Sequence, residues 1–360
     1  MISIIGAGPA GNYLASLIAN KKEVVIFEEH NTIGKPLHCT GLVTQEISNI
    51  IPIKPNLILN KLKKIRIYSP NKDYVEITFK KPNLILDRVE FDKFLLDEAI
   101  KNGAKIITNH KFIDYKKPDL IFKTPKGIKK YKADIIIGAD GVNSRVSKII
   151  NKNEKRKIFI GIQARVNLDT DPEIIELHLS KNAFAWVVPE SKYISKIGLI
   201  SFSNKISQTR LFKGFLDKRA PNAKIREYIS GLVPLYNSKL KLKKGDIYLV
   251  GDAATMVKAT SFGGIIQSLQ SSKILADSIL NKKNYKKEIK KRLKKDLKHH
   301  LIIRKVLNRF SDEDYNELIK ISKKVVPILE KHERESPKRI LIEAALKQPK
   351  LLKFFKKLIY

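Results

Sequence analysis

Residues 1–29 read MISIIGAGPAGNYLASLIANKKEVVIFEE, and this stretch decides the fold. Residues 2–5 are a largely apolar run that meets Gly6, Gly8 and Gly11 in the order Gly-x-Gly-x-x-Gly. Gly6 permits a tight turn, and Gly8 lets a diphosphate approach the backbone. Gly11 lets a helix lie close on the strand, so that its first N–H groups point at phosphate oxygens. The helix expected over residues 12–19 keeps small and apolar side chains on its inner face and is closed by Lys21 and Lys22. Residues 24–27 are a second buried strand ending at Glu28, whose carboxylate can accept hydrogen bonds from a ribose diol. Strand, helix, strand and acid in this register predict a βαβ dinucleotide-binding unit.

Working outward, residues 35–60 show little regularity and read as loop and short helix. Residues 62–86 alternate apolar and polar (Ile65, Ile67, Tyr74, Val75, Ile77, Phe79), as antiparallel strands do. LDRVEFDKFLLDEAIKNGAKI (86–106) is a helix with Phe91, Phe94, Leu95 and Ala99 on one face and Gly103 as its stop. A strand at 105–108, a short meander to 132 and a buried strand at 134–138 follow, the last running into GADGVNSRV. Residues 158–203 alternate again and predict a second antiparallel sheet. A short buried strand at 247–250 meets GDAA at Gly251, and a helix opens near Gly263. From 281 the chain is helical and rich in Lys.

An acid at position 28 argues against a 2′-phosphate, so the nucleotide is FAD or NAD rather than NADP. Two later corners separate these. Asp140-Gly141 follows a buried strand. Asp252, in YLVGDAAT, can hold a ribityl hydroxyl or reach the diphosphate, and Gly263, Gly264 and Ile265 open a helix whose dipole would stabilise negative charge on a reduced flavin ring. Either corner alone is an ordinary Asp-Gly turn. In this order after a Rossmann opening, they favour FAD.

GAGPAG, Glu28, LDRVEFD, GADGVNSRV and GDAATMVKATSFGGI resemble, in order and spacing, the geranylgeranyl reductase family of flavoproteins. The archaeal branch, which saturates the isoprenoid chains of digeranylgeranylglycerophospholipids, is the most similar. The resemblance runs from residue 1 to about 280 and less securely beyond. Its Gly-x-Gly, Arg and Gly-Asp elements are shared with the wider aromatic-hydroxylase group. Two features specify the branch. Pro36-Leu37-His38-Cys39-Thr40-Gly41 is similar to a Cys-containing loop beside the flavin, with Gly41 one residue nearer the Cys than usual. Phe184-Ala185-Trp186-Val187-Val188-Pro189 is similar to a substrate motif, with Phe184 for Tyr, Val188 for Phe and Ile200 for a later Gly. These departures bear on chain length and headgroup preference, not on the fold.

The resemblance implies an α/β chain with a glutathione-reductase-like, aromatic-hydroxylase-like Rossmann FAD-binding domain in segments 1–60, 85–150 and 240–280. An antiparallel-sheet substrate domain would take 61–84 and 151–239, and a basic helical region 281–360. It implies FAD contacts at Ala10, Glu28, Cys39, Thr40, Gly41, Arg88, Asp252, Gly264 and Ile265, alongside the Gly6, Gly8, Gly11 and Gly263 backbone. Arg88 suits a cation set against the diphosphate and equally a surface Arg opening a helix. Cys39 is the catalytic candidate, gating the flavin or helping to deliver a proton; an inert small hydrophobe is the alternative. Phe184, Trp186 and Pro189 are the substrate-binding candidates, with Trp186 either the wall of an apolar tunnel or a core residue.

A net charge of +35 attracts polyanions, although a composition crowded with Lys, Ile and Asn accounts for part of it. No nucleic-acid recognition module is visible. The single cysteine excludes an intrachain disulfide and suits a reducing, cytoplasmic compartment. The first strand leaves no room for a signal peptide, and no apolar run approaches the ~20 residues of a membrane span. His299-His300 lacks a third ligand, so no metal is expected. The segment from 281 carries about +15 of the charge. Within it, Leu351, Leu352, Phe355, Leu358 and Ile359 fall on one helical face, with Lys353, Lys356 and Lys357 on the other. That pattern predicts a helix in the interface of an anionic membrane or one packed on the body.

The function these features predict is saturation of isoprenoid double bonds in membrane lipid precursors by hydride from reduced flavin. No second Gly-x-Gly-x-x-Gly marks a pyridine-nucleotide domain, so the electron donor is external, a small carrier or transient NAD(P)H. A peripherally membrane-associated, cytoplasmic monomer is the expected form. The alternatives are a flavin-dependent monooxygenase or halogenase on the same fold and a non-catalytic prenyl-binding escort.

Overall fold

The apolar run Ile2–Ile5 becomes the middle of a six-stranded sheet and is buried at every position. Strands covered on both faces need no polar alternation, which is why this run and Val24–Phe27 are apolar nearly throughout. In the computed structural model, which describes residues 1–203, 205–332 and 337–357, the strand order is Lys243–Lys244, Ile247–Leu249, Ile135–Gly138, Ile2–Ile5, Val24–Phe27, Lys105–Ile107. All pairings are parallel except that of the short edge strand Lys243–Lys244. Ile5 lies opposite both Phe27 and Gly138, and Gly138 opposite Leu249, so the strands end together. The chain passes to opposite sides of Ile2–Ile5, which creates a topological switch point at these carboxyl ends.

Helix Pro9–Ile18 packs between helices Arg88–Lys101 and Ile265–Leu280. A three-stranded meander, Lys111–Lys116, Asp119–Thr124 and Gly127–Lys132, buries Phe112, Leu120 and Phe122. Phe27 stacks on Phe122 at 4.4 Å, which ties the meander to the sheet.

The second unit is built on an eight-stranded sheet ordered Ile225–Pro234, Ile158–Asn167, Ile194–Ser201, Ala183–Pro189, Ile174–Leu179, Ile58–Tyr68, Tyr74–Leu86, Leu42–Val43. Alternation along Ala183–Pro189 sorts its side chains. Ala183, Ala185 and Val187 face helix Gln208–Arg219 and pack with Phe212 and Leu216. Trp186 and Val188 face the other way, into a cluster with Ile65, Val75, Ile77 and Ile175 that is closed by Ile319, Val326 and Leu329 of the C-terminal helices.

The compact units comprise 1–37, 88–158 and 233–298, and 38–87, 159–232 and 299–360. They differ from the expected segments chiefly at 38–60 and in the tail, where 281–298 go with the six-stranded unit and 299–360 with the sheet unit. Residues 38–60 go with the sheet unit, because Leu42–Val43 and Ile58–Tyr68 are strands of it. The helical tail does not stand by itself, because Asp312–Ser322 and Val326–Lys331 supply one layer of that unit's core.

Gly198 lies directly opposite Trp186 on the neighbouring strand. A Cβ there would be 2.2 Å from Trp186 Cζ2, so the indole rests on bare backbone. Gly198→Ala should therefore cost about 1–3 kcal/mol and shift the emission of Trp186, the only tryptophan. Pairing it with Trp186→Leu should recover part of the loss in thermal melts followed by circular dichroism. A Gly198→Ala protein with unchanged melting and emission would contradict this packing.

Candidate functional site

The three opening glycines act at three different places. Gly6 has φ +105°, and a Cβ on it would stand 2.5 Å from the Ala139 carbonyl oxygen. A Cβ on Gly11 would lie 2.1 Å from the Gly6 carbonyl oxygen. Around Gly8 such an atom would meet nothing within 4 Å. The turn is closed at both ends and open in the middle, over a helix N-terminus that no side chain caps. Backbone N–H groups left without intrahelical partners there attract anionic oxygen.

Glu28 is held by what it accepts. The Ala7 N–H donates to Oε2 at 2.8 Å, and the His30 N–H donates to Oε1 at 2.9 Å. The carboxylate thus braces the glycine turn; Oε1 also lies 2.7 Å from His30 Nδ1, and Oε2 keeps a second lone pair for a diol. Arg88 opens its helix with the guanidinium bound by both oxygens of Asp92, 2.9 and 3.1 Å from Nη2. Burial pushes the Asp92 carboxyl up, against the pull of Arg88.

The Gly-Asp corner reaches the opening turn. Gly251 has φ +60°, and a Cβ on it would be 2.8 Å from the Ala10 Cβ. Ser272 Oγ donates to the Ala10 carbonyl at 2.8 Å, and the Gly251 N–H donates to Ser271 Oγ at 3.1 Å. Helix Ile265–Leu280 begins at an N-cap, Gly264, that has no side-chain cap. A Cβ at Gly264 would come within 3.1 Å of Asp252 Oδ1, so the glycine leaves room for that carboxylate. Burial pushes Asp252 up to about 6, with Arg156 and Arg88 pulling the other way.

In the sheet unit, the loop holding Cys39 is bonded to four strands. His38 Nδ1 donates to the Ser230 carbonyl at 2.7 Å and Thr40 Oγ1 to Gln163 Oε1 at 2.9 Å. Lys196 Nζ donates to the Thr40 carbonyl at 3.0 Å, and the Leu86 N–H to the Gly41 carbonyl at 2.9 Å. Cys39 is half-buried, and its Sγ accepts from the Gly41 N–H at 3.4 Å. Lys196 is only 3% exposed and pairs with Glu190 at 2.8 Å. Burial would raise the Glu190 carboxyl, but Lys196 and Arg165 outweigh it and hold the group below its ordinary range.

Residues 4–43 match the family model of the NAD(P)-binding Rossmann-like domain. Over 301 residues the chain is 30% identical to a digeranylgeranylglycerophospholipid reductase of Methanosarcina acetivorans, spanning 77% of this chain and 74% of that protein. The chain belongs to the digeranylgeranylglycerophospholipid reductase family. Its backbone matches the crystal structure of a geranylgeranyl bacteriochlorophyll reductase-like protein from Thermoplasma acidophilum with a TM-score of 0.86 at 22% identity, covering 99% of this chain and 98% of that one. A flavin-dependent halogenase, CmlS, matches with a TM-score of 0.71 at 16% identity, over 98% and 77% of the two chains. Both structural likenesses are of fold.

In this member of the digeranylgeranylglycerophospholipid reductase family, Gly6, Gly8, Ala10, Gly11, Glu28, Arg88, Asp252, Gly263, Gly264 and Ile265 all belong to the six-stranded unit. Cys39, Thr40, Gly41, Phe184, Trp186 and Pro189 all belong to the eight-stranded one. Trp186 packs against the core cluster of its sheet, with Nε1 buried and, among the described residues, without a hydrogen-bond partner. Asp140 is a structural residue: it accepts from Ser144 Oγ and from the Arg145 and Val146 N–H groups, and so fixes the start of helix Arg145–Ile150.

The sequence reading missed Arg156. Its guanidinium donates to the Val142 carbonyl at 2.7 Å and to the Asp252 carbonyl, so one cation ties together the loops that follow two parallel strands. A lone Arg in a Lys-rich irregular stretch gives no sequence signal, because both partners are backbone oxygens far away in the chain.

The shift at Asp252 makes a signed prediction. A folded value of about 6 against 3.8 means that the fold favours the protonated carboxyl. Its contribution to stability is complete below about pH 4 and is lost as pH rises through 6, a swing of up to about 3 kcal/mol. In the cofactor-free chain, Asp252→Asn should melt above the parent at pH 7.5 and merge with it near pH 4. A gap independent of pH would reject the assignment.

Proposed function

We propose that this chain is an FAD-dependent reductase that saturates the geranylgeranyl double bonds of membrane lipid precursors. The observation that carries the reading is the contact of the open Gly8 turn with the Gly251-Asp252 corner, in a chain of this family. The residues fit FAD: Gly8 leaves backbone open to a diphosphate, Glu28 keeps a lone pair on Oε2 for a ribose, and Asp252 has acceptor oxygens beside an uncapped helix N-terminus. When bound, FAD supplies the hydride that one alkene carbon must receive. The other alkene carbon needs a proton, and an isolated double bond has no carbonyl to hold charge between the two transfers. Protein groups must therefore fix the alkene and exclude water around it.

We assign the proton delivery or gating role to Cys39, whose loop is made rigid by the bonds to Ser230, Gln163, Lys196 and Leu86. Phe184 and Trp186, on one face of the uncharged strand Ala183–Pro189, are assigned to the isoprenoid path, with Pro189 closing the strand's end. Electrons come from an external carrier or from NAD(P)H bound in passing. The protein works as a peripheral, cytoplasmic enzyme; among the described residues no helix is long and apolar enough to cross a membrane.

Anaerobic incubation with a chemical reductant and a digeranylgeranylglycerophospholipid should give products heavier by two hydrogens per double bond in mass spectra. Product that forms only with oxygen would favour a monooxygenase or halogenase instead. Cys39→Ala should lower turnover by about 10²-fold if the thiol delivers the proton while leaving flavin content unchanged; unaltered turnover removes Cys39 from the mechanism. Gly8→Val should fold, having space for its side chain, yet purify without the yellow flavin spectrum. A yellow Gly8→Val protein would move the cofactor elsewhere.

A further inference from the structure

At the end of the sequence the pattern allowed a membrane face or a helix packed on the body, and the structure packs the segment. Its helix is short, Leu352–Lys356, and Phe354 is turned inward, 3% exposed, onto Phe310 at 4.9 Å. Lys357 pairs with Asp314 at 2.5 Å and Lys353 pairs with Glu317. Leu358 and Ile359 lie outside the described residues. Two of the basic side chains thus serve the fold.

One helix earlier the situation is reversed. Helix Pro337–Lys347 sets Ala344 inward, 4% exposed. Lys338, Ile342 and Leu346 follow one another at four-residue spacing on the opposite side, with Arg339 beside them. Ile342 is 49% exposed, and Leu346, at 77%, is the most exposed large apolar side chain among the described residues. Leu352, at 54%, is a further exposed apolar side chain past the helix end. A single exposed Leu is ordinary, whereas a helical ridge of them bordered by cations is not.

Charge says what can cover this face. Residues 337–357 hold seven Lys and Arg against one carboxylate, Glu343, and that carboxylate pairs with Lys331 and His332. Lys338, Arg339, Lys347 and Lys350 have no carboxylate partner among the described residues. A second copy of a chain with net charge +35 would bring like charge against like. A nucleic acid would satisfy the cations and leave Ile342 and Leu346 in water. A bilayer with acidic headgroups satisfies both, with apolar side chains below the headgroups and lysines among them.

We propose that the outward face of helix Pro337–Lys347, with Leu352 and the surrounding lysines, docks the protein on an anionic lipid bilayer. The proposal deepens the peripheral-membrane part of the functional reading and stands or falls separately from the reductase chemistry.

The test is co-sedimentation of the full chain with phosphatidylcholine vesicles, with and without phosphatidylglycerol, at about 0.15 M salt. The parent should partition onto the anionic vesicles and leave them as salt is raised. Ile342→Ser with Leu346→Ser should lower that partition about tenfold at an unchanged melting temperature, while Ile128→Ser, an exposed apolar change on the meander, should not. Reduction of detergent-dispersed lipid should be equal in parent and double variant, which keeps docking apart from catalysis. Equal binding of parent and double variant would overturn the proposal, as would salt-insensitive binding to pure phosphatidylcholine. A parent that sediments as a dimer, and a double variant as a monomer, would assign the face to a second copy instead.

Discussion

Everything in the nucleotide half depends on how closely one helix lies on one strand. At Gly11 the backbone of helix Pro9–Ile18 approaches the Gly6 carbonyl so nearly that a methyl group would overlap it. At Gly6 the turn presses equally on Ala139. These contacts bring the Ala10 end of the helix against Gly251, and Ser272 fixes the distance through the Ala10 carbonyl. A bulkier residue at Gly11 would move the helix outward and separate the two corners. The open space at Gly8 follows from closure on either side of it.

The same crowding sets the electrostatics. Asp140, Asp252 and Asp92 are all pushed up by burial, yet the structure compensates each differently. Asp140 is met by a hydroxyl and two backbone N–H groups and so serves as a helix cap. Asp92 is met by the forked guanidinium of Arg88. Among the described residues Asp252 has charges nearby but no such direct partner: Arg156 binds its carbonyl rather than its carboxylate. A buried acid left with acceptor capacity and only distant cations is costly to the fold alone. Ligand hydroxyls would make good that deficit.

How much of this was legible depends on the range of the interactions. The glycine turn and the parallel strands were readable because their geometry is set by near neighbours and by burial on both faces. Arg156 and Lys196 were not, since their partners are carbonyls and carboxylates that only the tertiary fold brings near. The terminal segment was hard to read for another reason. Assigning residues to faces presumes an uninterrupted helix, but Pro349–Leu351 is a separate tight turn and the helix after it has five residues. That short register turns Phe354 inward, a residue outside the expected apolar stripe. The boundary near 60 was misplaced because strand Leu42–Val43 is only two residues long, too short for alternation to appear.

The buried pair beneath the Cys39 loop raises a question of purpose. Desolvating Lys196 and Glu190 costs several kcal/mol per ion, and their attraction returns about as much when the geometry is good. Stability alone would be served as well by apolar residues of the same volume. What apolar residues could not provide is direction: Lys196 spends a donor on the Thr40 carbonyl while Glu190 holds its head in place from behind, itself held by Arg165. Gln163 fixes the Thr40 hydroxyl from the neighbouring strand. The loop is thus located by one charge-assisted bond and several neutral ones to sheet residues, together with close packing of His38 on Gly231.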